Sequence, residues 1–239
     1  MTNIVPSLVS SGNDGVTATP ALPSNVVLGS LLVAFLWELS TNTGVTWSVN
    51  SPWNIAFTGV YGGTSLPNAG QFICAWRIAT SSGDAACTFT PTGGNPSVES
   101  RCFNFKNAQI ARSLGNHSNN GNSTGSSSGG ASAILASSAN SLAFYFGSLN
   151  NTSWPPSGWT DSGIGGNDVA AYKTLVNVGD SSGSPTFSAN SGAWGDILVE
   201  ILPNSTVPGD YYANGSPSQA LIAGPPAPAP IIIARGTPY

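Results

Sequence analysis

Hydrophobic and polar positions along this chain fall into two patterns, short unbroken apolar runs and strict alternation. Gly29-Ser30 introduces Leu31-Leu32-Val33-Ala34-Phe35-Leu36-Trp37, an apolar run that stops at Glu38. A run this short, containing Val, Phe and Trp and opened by a turn signal, predicts a strand buried on both faces. No 3.6-residue stripe surrounds it, so a helix is not expected. Asn140-Ser141-Leu142-Ala143-Phe144-Tyr145-Phe146-Gly147 and Gly195-Asp196-Ile197-Leu198-Val199-Glu200-Ile201-Leu202 have the same grammar. Burying each large side chain contributes roughly 1.5–3 kcal/mol, which places these three segments at the centre of a core.

Between them the pattern alternates. Val45-Thr46-Trp47-Ser48-Val49, Ile55 to Tyr61, Cys87 to Thr90 and Ser100 to Phe105 read as further strands, and Gln71 to Ile78 sets Phe72, Cys74, Trp76 and Ile78 on one face. Ser11 to Gly15, Ser40 to Gly44 and Gly62-Gly63 are turn signals. Residues 115–130 are almost all Gly, Asn and Ser and predict a flexible loop that carries His117. Beyond it the first half is echoed in order. Pro155-Pro156-Ser157-Gly158-Trp159 follows Ser51-Pro52-Trp53, Ala171-Tyr172-Lys173 follows Ala75-Trp76-Arg77, Pro185-Thr186-Phe187 follows Cys87-Thr88-Phe89, and 197–202 follows 100–105. The expected fold is all-β, a β-sandwich or jelly-roll-like body over residues 1–203. Two pseudo-repeats, about 4–107 and 131–203, would combine in one sandwich.

Residues 204–239 differ in kind and read as an extended, Pro-rich C-terminal arm. Pro225 to Pro230 predicts polyproline II, spanning roughly 19 Å at about 3.1 Å per residue. Leu221, Ile222, Ile231, Ile232 and Ile233 are too apolar to stay wet at the end of such a spacer. They are expected to dock on the parent domain or a neighbouring subunit.

Composition narrows the function classes. Charged residues are only 7% of the 239, while hydrophobic residues are 40% and Trp and Phe number 7 and 9. That is an aromatic core under a neutral, turn-rich surface, not a disordered chain. A net charge of −4 with 6 basic residues supplies no phosphate-binding patch, so nucleic acid is not an expected partner. No run approaches the ~20 apolar residues of a membrane span, and the first residues lack the layout of a secretory signal, which predicts a protein made in a cytoplasm. Cys74, Cys87 and Cys102 are odd in number and share no metal-ligand spacing, so they read as free buried thiols.

Reactive chemistry is weakly signalled. No catalytic residue, metal site or cofactor is expected. The single histidine falls in the Gly/Asn/Ser segment, which argues against a nucleophilic triad. Asp161, Asp168 and Asp180 lie in turns without the spacing of a calcium loop. A glycosidase needs paired carboxylates across a cleft. Glu38, Glu99 and Glu200 are the only glutamates, with Glu200 on the same strand face as Leu198 and Leu202. Trp47, Trp53, Trp154 and Trp159 invite a sugar-stacking reading. Trp53 and Trp159 recur at matching places, which marks packing, so Trp154 beside Pro155-Pro156 is the candidate glycan contact.

Gly29 to Phe35, Pro156 to Thr160, Ala171 to Lys173, Thr186 to Ser188 and Trp194 to Val199 together resemble β-sandwich structural proteins of tailed bacteriophages. The resemblance spans about residues 25–203. It departs at Pro52-Trp53, which lacks the glycine, and at Cys102-Phe103, which replaces an aliphatic pair. It implies a non-enzymatic virion component, a capsid decoration, fibre or tail protein. Such a protein is made in the host cytoplasm, forms homo-oligomers and binds other virion proteins. The alternative is an adhesin module that recognises host surface glycan through Trp154.

Overall fold

The computed structural model describes residues 6–11, 18–38, 45–61, 70–94, 96, 98–109, 114–122, 130–148, 155–164, 168–186 and 194–204. The chain divides into two compact units, Met1–Gly209 and Asp210–Tyr239, and every described residue belongs to the first. The predicted arm residues Leu221, Ile222, Ile231, Ile232 and Ile233 lie outside the described residues, as does Trp154.

Among the described residues all regular structure is strand. In chain order the strands are β1 (Ser7–Ser11), β2 (Leu31–Glu38), β3 (Thr46–Val49), β4 (Asn54–Tyr61), β5 (Gly70–Ile78) and β6 (Phe89–Thr92). They continue with β7 (Val98–Lys106), β8 (Leu114–Asn122), β9 (Ser141–Ser148), β10 (Thr160–Asp161), β11 (Asp168–Leu175) and β12 (Trp194–Ile201). One five-stranded sheet has the order β1-β7-β2-β5-β4, and a second has β10-β11-β9-β12-β8. β3 and β6 pair separately. All the pairings are antiparallel.

The two large sheets pack face to face as a β-sandwich. Leu31, Val33, Phe35 and Trp37 of β2 point inward with Phe72 and Cys74 of β5 and Phe103 and Phe105 of β7. Leu142, Phe144 and Phe146 of β9 and Ile197, Val199 and Ile201 of β12 meet them. Phe35 stacks on Phe146 with ring centroids 5.2 Å apart, and Phe103 meets Phe144 edge-on at 4.7 Å. Where β12 crosses over β5 there is room only for glycine, because a Cβ at Gly195 would enter the Phe72 ring.

The outer faces are covered too, which explains the unbroken apolar runs. Leu32, Ala34 and Leu36 lie under Trp53, Cys87 and Phe89, with Trp47 and Val49 of β3 packed alongside. On the second sheet Ala143, Tyr145 and Leu198 lie under Ile134, Ala136 and Trp159. All eight residues of β2 are buried as a result. The face predicted for Phe72, Cys74, Trp76 and Ile78 is the inner one, where Trp76 and Ile78 pack at the margin.

Each half of the chain builds one whole sheet, so the halves stack without interleaving. Both sheets have the same strand order when their strands are counted along the chain: first, fifth, second, fourth, third. Registers also correspond. Leu31 stands opposite Phe105 and Val33 opposite Trp76, while Leu142 stands opposite Ile201 and Phe144 opposite Tyr172. Gly29 (φ 83°) and Asn140 (φ 59°) both take left-handed conformations just before these strands. Their N–H groups donate to Ala79 O at 2.9 Å and Val176 O at 3.1 Å. The Trp53 N–H donates to Asn50 O at 2.9 Å and that of Trp159 to Pro156 O at 3.1 Å, each just ahead of an edge strand.

One expectation is overturned. Residues 115–122 are not part of a flexible loop but belong to β8, the edge strand paired with β12. His117 lies on that strand, its ring stacked on Phe57 at 3.9 Å. The polar composition misled because this strand covers little apolar surface.

Candidate functional site: buried carboxylates and an apolar end

The carboxylates tie loops to sheets. Glu200, on the outer face of β12, accepts from the Ser137 and Ser138 N–H groups at 2.8 and 3.2 Å and from the Ser137 hydroxyl at 2.7 Å. It also accepts from the Asn116 N–H at 3.1 Å, where β8 bulges. The face predicted for Glu200 is correct. Its partners are backbone donors and a serine, not the basic residue that a buried carboxylate commonly finds.

Four residues earlier Asp196 accepts from the Tyr145 hydroxyl at 2.9 Å and from the Asn120 N–H at 3.0 Å, with a further bond from the Ala131 backbone. Burial pushes its carboxyl up to about 7 against these donors, which favour the ionised form. Together Asp196 and Glu200 anchor a strap, residues 130–138, across the second sheet. Asn116 and Asn120 donate their side-chain amides to Leu135 O at 2.8 Å and Gly130 O at 2.9 Å, and the Ser118 hydroxyl donates to Ser132 O.

Asp84 and Asp180 do similar work after β5 and β11. Asp84 accepts from the Thr80 N–H at 2.7 Å and hydroxyl at 2.8 Å and forms a buried ion pair with Arg77 at 3.0 Å. Burial raises its carboxyl, but the Thr80 bonds and the Arg77 charge outweigh that and hold it below the ordinary value. Asp180 accepts from the Val176 and Asn177 N–H groups at 3.0 and 2.8 Å. Asp161 accepts from the Gly163 N–H at 2.9 Å, a local turn. The aspartates weighed for calcium therefore have turn-closing roles at 161 and 180, and the Asp168 side chain is not among the described ones. Among the described residues no group of three or more His, Cys, Asp or Glu could hold a metal ion.

The glutamates do not converge. Glu99 stands opposite Trp37, which points inward, whereas Glu38 follows on the outer face of the same sheet. Glu200 is on the outer face of the other sheet, at the end where Ile201 meets Leu142. Two packed sheets separate Glu38 from Glu200, so the pair geometry of a glycosidase is not assembled from them. Burial raises the Glu38 carboxyl to about 7, with a backbone bond from Gln71 opposing. Loss of hydration lowers the His117 pKa.

The three cysteines are free and buried as expected. Burial raises all three thiols, Cys87 to about 12. The tryptophans weighed for sugar stacking are packing residues wherever they are described. Trp53 is buried and donates its indole N–H to Ala85 O at 3.1 Å, Trp159 is buried beside Tyr145, and Trp47 is half-buried on the outer core.

Sequence reasoning missed the exposed apolar side chains. Among the described residues the large ones are Val27, Leu28, Leu135, Val176 and Val178. Val27 and Leu28 precede β2, Val176 and Val178 follow β11, and Leu135 bridges to Ser181. Two valines separated by one residue after a strand were the available signal. No family model matches the chain, and neither a curated protein nor a solved structure matches it.

Proposed function

We propose that this chain is a non-enzymatic structural protein of a tailed-bacteriophage virion, a capsid decoration, fibre or tail component. It acts by subunit packing, and its C-terminal arm docks on a partner through Leu221, Ile222 and Ile231 to Ile233. The observation that carries this reading is the employment of the acidic groups. Glu200 and Asp196 hold a strap onto the second sheet, Asp84 ties its loop to Arg77 of β5, and Asp180 closes a turn, which supports a reading in which polar chemistry in the sandwich serves architecture. The sparsely charged surface supports it as well, since such a surface does little to keep copies apart. The short sequence words shared with phage sandwich proteins are the ground for naming a virion.

Deleting residues 221–239 is expected to abolish incorporation into particles, read by imaging purified particles and quantifying the protein in them. Full occupancy by the truncated protein would overturn the proposal. Glycan-array binding lost on Trp154→Ala would replace it with the adhesin reading.

A further inference from the structure

We infer that one end of the sandwich is the seat for the C-terminal arm of a neighbouring copy. This inference rests on the assembly reading above and names the surface it would use.

Among the described residues the five exposed large apolar side chains stand at one end. β2 and β9 face each other across the sandwich and run in the same direction. Phe105, level with Leu31 at the start of β2, packs on Phe144 near the start of β9, with ring centroids 5.0 Å apart. At the other end Trp37 stacks on Phe72, which lies under Gly195, and Gly195 stands opposite Ser148 at the finish of β9. The loop before β2 and the loop after β11 are therefore neighbours in height, and Leu135 is bridged to the second of them.

The last described residue leaves from this same end. Ala108 bridges to Pro203, and the Asn204 N–H donates to Asn107 O at 2.7 Å, which ties together the final residues of β7 and β12. Residues 205–239 continue from there.

The apolar side chains are carried on fixed turns. The Ser30 N–H donates to Val27 O at 3.0 Å while the Val27 N–H donates to the Ser30 hydroxyl oxygen at 3.2 Å. Asp180 closes the turn that carries Val176 and Val178. Leu28 is nonetheless 68% exposed and Val178 67% exposed, so the sandwich leaves most of each uncovered. Apolar groups held out on rigid turns are preorganised for contact, which lowers the entropy lost on binding.

The occupant with matching chemistry is the arm. Residues 211–234 carry no charged side chain and include Leu221, Ile222 and Ile231 to Ile233. The polyproline segment that the sequence predicts over Pro225 to Pro230, roughly 19 Å at about 3.1 Å per residue, would be too stiff to fold back on itself and so would present Ile231 to Ile233 to a second copy.

The test uses the full-length chain. Leu28→Cys in one preparation is mixed with Ile232→Cys in another, so that only bonds between chains can join the two new thiols. The native cysteines are buried. A covalent dimer is expected from this mixture, and none when Thr46→Cys, exposed at the other end, replaces Leu28→Cys. Sedimentation of the Leu28→Ser/Val178→Ser variant is expected to show self-association weakened about tenfold or more per residue.

If deletion of 221–239 abolishes association but the serine variant associates normally, this seat is wrong and the arm reading stands. If the truncated chain associates as well as the whole one, the arm reading itself fails. A closed monomer from the Leu28→Cys/Ile232→Cys double variant, with no dimer in the mixture, would also overturn docking between copies.

Discussion

Glu38 and Asp196 are acidic side chains that water does not reach. Both carboxyls are raised to about 7, Glu38 from 4.5 and Asp196 from 3.8, with burial the main cause. Each therefore holds its proton more tightly in the folded chain than in the unfolded one. Between roughly pH 4 and 7 the folded state carries more protons, so their contribution to stability is full at the acid side and is lost as pH rises through 7. Urea denaturation is expected to show a lower midpoint at pH 8 than at pH 5. Glu38→Gln should reduce that fall, leaving the part due to Asp196. An unchanged pH dependence in the variant would refute the assignment. The sequence shows Glu38 at the end of an apolar run, but its burial depends on what covers the outer face.

At the scale of elements, the strap over residues 130–138 and the edge strand β8 depend on each other through Glu200. Glu200→Gln keeps the size of the side chain but loses the charge and leaves an amide among backbone donors. The expected loss is about 1–3 kcal/mol of stability. It should be accompanied by faster hydrogen exchange at the Ser137 and Ser138 amides, with β2 unaffected. Equal exchange at 137 and 138 in both proteins would show that the carboxylate does not hold the strap. That Glu200 shares a strand face with Leu198, the outer one, was legible from alternation with Leu198 and Leu202. Its partners were not, because Asn116 and Ser137 lie 84 and 63 residues away along the chain. β8 escaped sequence reading for a related reason. Its outer side chains, Asn116, Ser118 and Asn120, hold a strap by hydrogen bonds, so the strand never needed the apolar alternation that reveals one.

At the scale of the molecule, neither sheet can cover its inner face alone. Residues 1–112 by themselves would expose Leu31, Val33, Phe35, Phe72, Phe103 and Phe105. Each would forgo roughly 1.5–3 kcal/mol of burial. That fragment is expected to be unfolded or aggregated, whereas residues 1–204 should unfold in a single cooperative transition. A dispersed NMR spectrum from monomeric 1–112 would contradict this. The sequence by itself determined the strands with the largest burial. Residues 31–37, 142–146 and 197–202 are apolar at every position or nearly so, and only a strand covered on both sides accommodates that. It also determined that Trp53 and Trp159 pack, since matching neighbours fix matching turns. Only the tertiary structure decided that each half makes a complete sheet, that the glutamates stand apart, and that the exposed valines and leucines gather at the end from which residue 204 departs. Those are facts of strand order and of which sheet faces which. Local composition and periodicity report how deeply a residue is buried, and carry no information on which distant segment buries it.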